Sequence, residues 1–182
     1  AKDGWYAPNR HVLAIAAIQN VEKTWRIQPH ATVNYSPFDW FNNRLTVGSD
    51  MIRQESSLLY SKNDETWYDN VDYNAGRISQ RRDADDHITL EYLGTFTRNL
   101  TDDVRIDWAV GSQWLADRSD QTNAQGTGLI NNDVKSVNAA AELSNGGQSS
   151  SQSRDIGVFT QADISWREVM YLQLGVRRDE SS

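Results

Sequence analysis

The sequence has no cysteine among its 182 residues, which excludes both a disulfide framework and a thiolate metal site. It has no apolar run near the ~20 residues that a membrane-spanning helix requires, and its mean hydropathy is −0.69. Basic residues are not in excess. The formal net charge is −7 and the pI about 4.9, whereas a nucleic-acid binder would carry a clustered basic face. The chain opens at Ala1 without an initiator Met, and no basic start followed by an apolar stretch marks a signal peptide. An upstream part is therefore expected.

Low hydropathy leaves one membrane architecture open, because a barrel strand turns only alternate residues toward lipid. What the chain does contain is long period-2 alternation. From residue 24 to 36 the odd positions Trp25, Ile27, Pro29, Ala31, Val33 and Tyr35 are apolar, while Arg26, Gln28, His30, Thr32 and Asn34 are polar. This is the pattern of one sustained strand with one apolar and one polar face, slightly weakened by Pro29, which cannot donate to a ladder. Similar runs are expected over residues 40–54, 86–98, 103–115, 155–165 and 168–179. His11 to Ile18 is apolar on both faces, which fits a strand or a short buried helix equally.

The links between these strands alternate in length. Ser36–Asp39, Asn99–Asp102 and Trp166–Arg167 are short, whereas residues 55–85 and 116–154 are long and polar. The second long link contains a possible short helix at Val134–Leu143 and a run, Asn145 to Ser153, that reads as flexible. The expected architecture is all-β: a section of a large antiparallel transmembrane barrel with six to eight long strands, short turns at one end and long loops at the other.

Three features favour this over a soluble sandwich. Soluble strands cluster near ~5–6 residues, whereas these approach the ~9–11 that cross a bilayer with tilt. The polar face carries mid-strand charges of both signs, at Arg26, Arg44, Asp50, Glu91, Arg105, Asp107, Asp163 and Arg177, and these are the candidate lumen-lining residues. The apolar face carries none in mid-strand, as contact with lipid demands. Finally, Tyr35, Phe38, Trp40, Phe41, Trp166 and Tyr171 flank the short turns while Trp25 and Trp114 lie toward the other end, like two interfacial aromatic bands.

Tyr35-Ser-Pro-Phe-Asp-Trp40, followed by a strand reaching Gly48-Ser-Asp50, resembles the Y-x-P-x-x-W turn and G-x-D strand of SusC/RagA-like TonB-dependent outer-membrane receptors. Gly157-Val-Phe-Thr-Gln161, Tyr171-Leu172 and Arg177-Arg-Asp-Glu-Ser-Ser182 are similar to that family's G-x-F-x-Q, Y-L and R-x-D-x-S-S segments. The resemblance runs from about Arg26 to the end of the chain. It implies a plugged barrel of about 22 strands, of which residues 1–182 supply part, with the plug and remaining strands elsewhere. It also implies short turns facing the periplasm, long loops outside, energy coupling through TonB, and a SusD-like surface lipoprotein as partner.

Other chemistry finds little support. His11, His30 and His87 lack metal-ligand spacing. Asp83-Ala-Asp-Asp86 lacks the spacing of a calcium loop. No nucleophile elbow or Ser-His-Asp set can be assembled, so no catalytic residue, metal or cofactor is expected. Trp67, Tyr68 and Tyr73 lie beside Asp69, Asn70 and Asn74 in a long loop and are candidate ligand contacts, able to stack on a sugar or grip a peptide. The expected activity is outer-membrane uptake of a bulky nutrient, glycan fragments or oligopeptides, with lipid as the surrounding partner. The rival reading is a structural or adhesive surface β-protein, because any sheet with one buried face shows the same period.

Overall fold

The computed structural model describes residues 15–63, 71–133, 135–143 and 146–182. They form an open eight-stranded sheet: β1 (Ile18–Ile27), β2 (His30–Phe38), β3 (Phe41–Tyr60), β4 (Arg77–Asn99), β5 (Val104–Leu129), β6 (Ala140–Leu143), β7 (Gly147–Trp166) and β8 (Met170–Ser181). A short helix α1 (Val71–Asn74) and a 3-10 turn (Val137–Ala139) are inserted. Neighbours in the sheet run β1-β3-β4-β5-β7-β8, with β2 also on β3 and β6 also on β5. Each long strand thus lies beside the next one in sequence, the simplest way to build a sheet from tight turns.

Pro29 does more than weaken the first strand. The first alternating run is split at Gln28 and Pro29 into β1 and β2, yet both halves stay on β3, and the Pro29 carbonyl accepts from the Ser49 N–H at 2.9 Å. At the other end of β2 the register shifts between Tyr35 and Phe38, so that Phe38 pairs with Phe41 across the Asp39–Trp40 turn.

The turn-side strand ends fall where the sequence places them; the opposite ends do not. β3 runs on to Tyr60, β4 begins at Arg77, β5 continues to Leu129 and β7 begins at Gly147. The links read as 55–85 and 116–154 are therefore shorter than expected. The helix expected over Val134–Leu143 is instead the 3-10 turn followed by β6, with residue 134 outside the described residues. The flexible run to Ser153 is strand from Gly147 onward. In the segment that fits helix or strand, residues 15–17 are a helical turn and Ile18 opens β1, with residues 11–14 outside the described set.

The chain divides into two compact units that share the long strands. One holds Ile52–Ala84, Asp120–Ser150 and the described residues up to Trp25. Its core is Ile78 (0% exposed), Leu129 (1%), Leu59 (3%) and Val137 (7%), with Ala124 and Ala140 packed against them. Two glycines make the chain reversals around it: Gly76 at φ 84° and Gly128 at φ 74°, left-handed conformations that a side chain disfavours. The Gly128 N–H donates to the Gly76 carbonyl at 2.9 Å, and Leu129 donates to Ala75 at 3.0 Å.

The second unit comprises Arg26–Met51, Asp85–Ser119 and Ser151–Ser182. No side chain of the buried core belongs to it. Its strands keep strict alternation, so that Val33 pairs with Leu45 and Ala31 with Val47 on one face, while Asn34 pairs with Arg44 and Thr32 with Thr46 on the other. Across β7 and β8 the same holds: Ile164 pairs with Leu172 and Ala162 with Leu174, whereas Asp163 pairs with Gln173 and Phe159 with Arg177. Both faces are open. Leu172 is 54% exposed and Val176 72%.

Candidate functional site

The polar face of the second unit is the candidate site. Alternation fixes its composition, since every second residue of each strand projects to the same side. Arg26, Arg44, Asp50, Glu91, Arg105, Asp107, Asp163 and Arg177 all belong to this unit, and their contacts gather them into several separate groups.

The Arg26 guanidinium grips Asp50 with two hydrogen bonds, Nε to Oδ1 at 3.0 Å and Nη2 to Oδ2 at 2.6 Å. Gln28 adds Nε2 to Oδ2 at 3.1 Å. The planar fork of arginine matches a carboxylate in this bidentate way, which orients both groups. Arg105 holds Asp107 two residues along β5 through bonds of 3.0 and 3.1 Å, and Thr97 on β4 donates to the same carboxylate at 2.6 Å. Arg177 holds Asp179 in the same way along β8 at 2.9 and 3.0 Å. The i, i+2 spacing works because such residues share a face.

Neutral amides link these groups into longer chains. Gln113 donates to Glu91 at 2.8 Å and accepts from Arg177 Nη2 at 3.4 Å. Gln161 donates to Asp163 at 3.0 Å. Arg44 differs from the other three arginines: its Nε donates to the neutral Asn34 Oδ1 at 3.1 Å, and no carboxylate among the described residues pairs with it. His87 Nδ1 contacts Asp117, and Ser119 donates to Asp85 at 2.6 Å, adding a further polar group on β4 and β5.

Among the recesses on this unit, two gather the candidate residues. One of about 480 Å³ brings Arg105, Asp107 and Asp163 together with Glu168 and Gln173. The other, about 310 Å³, brings Arg44, Glu91 and Arg177 together with Thr46, Gln113 and Phe159. Arg26 and Asp50 line neither. Phe159 is an aromatic on the polar face. Its ring lies so close to Gly111 that a β-carbon there would overlap it, which explains a glycine in mid-strand.

The apolar face carries its own network near the short turns. Phe41 stacks on Phe96 at 4.3 Å, Phe96 on Trp108 at 5.2 Å, and Trp40 on Phe38 at 5.2 Å. Two pairs of polar groups are matched on it: Tyr92 donates to Asn43 at 2.7 Å, and the Trp108 indole donates to Thr160 at 2.7 Å. Tyr171 departs from the expected band. It pairs with Ser165, on the polar side, and donates to the Glu168 carbonyl at 2.9 Å.

Of the loop aromatics, Trp67 and Tyr68 lie outside the described residues. Tyr73 is half-buried, stacks on Tyr60 at 4.4 Å and lies under the Arg77 guanidinium at 4.9 Å. No group of three or more metal-ligating side chains occurs among the described residues, and no described helix is long and apolar enough to span a membrane, which says nothing of strands.

No protein-family model matches the sequence, and no curated protein sequence is similar to it. Solved structures are. A structure of the RagAB peptide transporter superposes with TM-score 0.84 at 12% identity, covering 91% of this chain and 18% of that one. The RagAB peptide importer in its open-open state gives 0.84 at 14%, and in its closed-closed state 0.84 at 13%, each covering 92% of this chain and 18% of the other.

The fold is that of a β-barrel section. The chain spans 18% of the length of the solved chains it matches. At such identity the likeness concerns backbone alone, and the residues of the polar face are this chain's own. Gln113 and Gln28 were legible only as members of the polar row, since nothing in a single strand tells which neighbour an amide will bridge. The contact between Phe159 and Gly111 is hidden for the same reason: an aromatic and a glycine on different strands become a pair only once the register is known.

Proposed function

We propose that this chain is part of the barrel of an outer-membrane importer of the SusC/RagA-like, TonB-dependent type, taking up a bulky nutrient such as glycan fragments or oligopeptides. The apolar face meets lipid, and the polar face, with Arg26, Arg44, Asp50, Glu91, Arg105, Asp107, Asp163 and Arg177, lines the lumen. The single observation carrying this reading is the second unit's two-faced exposure. One side presents Val33, Leu45, Val47, Leu172, Leu174 and Val176 uncovered, while the other carries fixed ion pairs.

Lipid accounts for both faces at once. On β3 the apolar row extends from Phe41 to Met51, then acquires Arg53 and Glu55; on β8 it extends from Met170 to Val176, then acquires Arg178 and Glu180. Roughly 9–11 residues suffice to cross the hydrocarbon with tilt, and charges are tolerated only outside it. The Phe38, Trp40, Phe41, Phe96 and Trp108 rings then sit at the headgroup level of the turn end. Within the lumen, ion pairs in contact with water keep their charges while leaving the wall near neutral, which suits passage of a polar solute better than a single-sign field. Uptake in this reading is binding and gated passage, with TonB and a SusD-like surface lipoprotein as partners.

The test is a depth-dependent fluorescence quenching series with the full-length protein in lipid vesicles. Labels at Leu172 and Val110 are expected to be quenched by lipid-borne quenchers near the bilayer centre, and a label at Gln173 only by aqueous ones. Burial of Leu172 and Val110 against protein would instead favour a structural or adhesive sheet.

A further inference from the structure

The geometry points to a subsite for a zwitterion in the recess formed by Arg44, Glu91 and Phe159; this inference rests on the polar face being a lumen wall. Three observations converge. The recess of about 310 Å³ is lined by both Arg44 and Glu91, yet these opposite charges form no ion pair with each other, and each is engaged only by a neutral amide: Arg44 by Asn34 and Glu91 by Gln113. By contrast, Arg26, Arg105 and Arg177 are each matched to an aspartate. The Nη groups of Arg44 have no partner among the described residues, which leaves the two donors that a carboxylate would take side by side.

Second, Gln113 is fixed in one orientation by donating to Glu91 and accepting from Arg177. The Arg177 charge is therefore spent on Asp179 and Gln113, and the free charges of the recess reduce to one cation and one anion. The recess thus selects neither anions nor cations alone. Third, Phe159 on β7 supplies an apolar surface to the same recess, beyond Glu91 on β4, held down on Gly111 and paired in register with Arg177. A ligand with a carboxylate, an ammonium group and an apolar body complements all three. An amino acid or peptide end has this chemistry, and so does an amino-sugar acid.

Full-length protein in lipid nanodiscs, titrated with four probes by ligand-observed NMR, tests the assignment. The probes are phenylalanine, N-acetylphenylalanine (carboxylate only), phenylalaninamide (ammonium only) and muramic acid (both, on a sugar). Phenylalanine or muramic acid is expected to bind about tenfold tighter than either singly charged probe, and whichever does so names the source. Arg44→Gln is expected to remove the advantage conferred by the carboxylate and Glu91→Gln that conferred by the ammonium, while Arg178→Gln, at a residue that pairs with Val158 on the opposite face, leaves both. Equal binding of all four probes, binding of none, or uniform loss in both variants would overturn the subsite. The lipid quenching of Leu172 reports separately on the lumen-wall reading, so each can fail without the other.

Discussion

Asn132 holds the backbone of Lys62 from both sides, its Oδ1 accepting from the Lys62 N–H at 2.6 Å and its Nδ2 donating to the Lys62 carbonyl at 2.9 Å. One amide side chain thus imitates a strand neighbour for the second residue past the end of β3. Net hydrogen bonds of this kind contribute about 0.5–1.5 kcal/mol each. Asn132→Ala is expected to raise amide exchange at Ser61, Lys62 and Asn63 by one to two orders of magnitude while exchange in β8 stays unchanged, as read by hydrogen-exchange mass spectrometry. Asn132→Asp, which keeps the acceptor and loses the donor, should fall between.

The small core of the same unit makes a stronger prediction. Ile78 is fully buried against Leu59, Leu129 and Val137, so Ile78→Ala removes apolar contact and leaves a cavity, a change that typically costs about 2–5 kcal/mol. That is more than four residues and two flanking alanines can replace. Local unfolding of the Gly76 and Gly128 reversals should follow, seen as new proteolytic cleavage between residues 61 and 76 in otherwise folded protein. Cleavage unchanged from the parent would mean that this core does not hold the reversals.

Glycine positions separate backbone need from space. Gly128, at φ 74° with Ala141 Cβ 3.2 Å from where its own β-carbon would lie, should lose about 1–2 kcal/mol as Gly128→Ala, from the left-handed conformation alone. Gly48 has nothing within 4 Å of that position and an ordinary extended φ. Gly48→Ala is expected to leave the midpoint of urea unfolding from lipid unchanged within error.

How much of this was readable beforehand follows from which physical signal each element carries. The turns near Pro37, Leu100 and Arg167 were legible because turn chemistry and the end of apolar alternation coincide there. The far ends of β3, β4, β5 and β7 were not. Past Met51 and before Asp85 both faces become polar, as at Arg53, Gln54, Glu55 and Arg81, Arg82, Asp83, and period-2 contrast vanishes although the ladder continues. Cross-strand pairs such as Gln54 to Glu22 at 2.7 Å and Arg82 to Glu55 at 3.2 Å accompany those extensions. In the candidate site, the row of Arg26, Arg44 and Asp50 was legible from parity. Which of them pair was not, since the register also depends on the irregularity between Tyr35 and Phe38.

The two faces of β8 give the sharpest prediction, because adjacent residues should respond in opposite ways. Leu172 pairs with Ile164 on the apolar face, and Gln173 pairs with Asp163 on the polar one. If the apolar face meets lipid, Leu172→Arg places a guanidinium in hydrocarbon at a cost of about 2–4 kcal/mol near the midplane, less toward the interface. Gln173→Arg places the same group beside a carboxylate in water and should be neutral or slightly stabilising. Equilibrium urea unfolding of the full-length protein from lipid vesicles reads both. Equal, small effects at the two positions would mean that neither face sees hydrocarbon. A large loss at residue 173 with none at 172 would reverse the assignment of lumen and lipid.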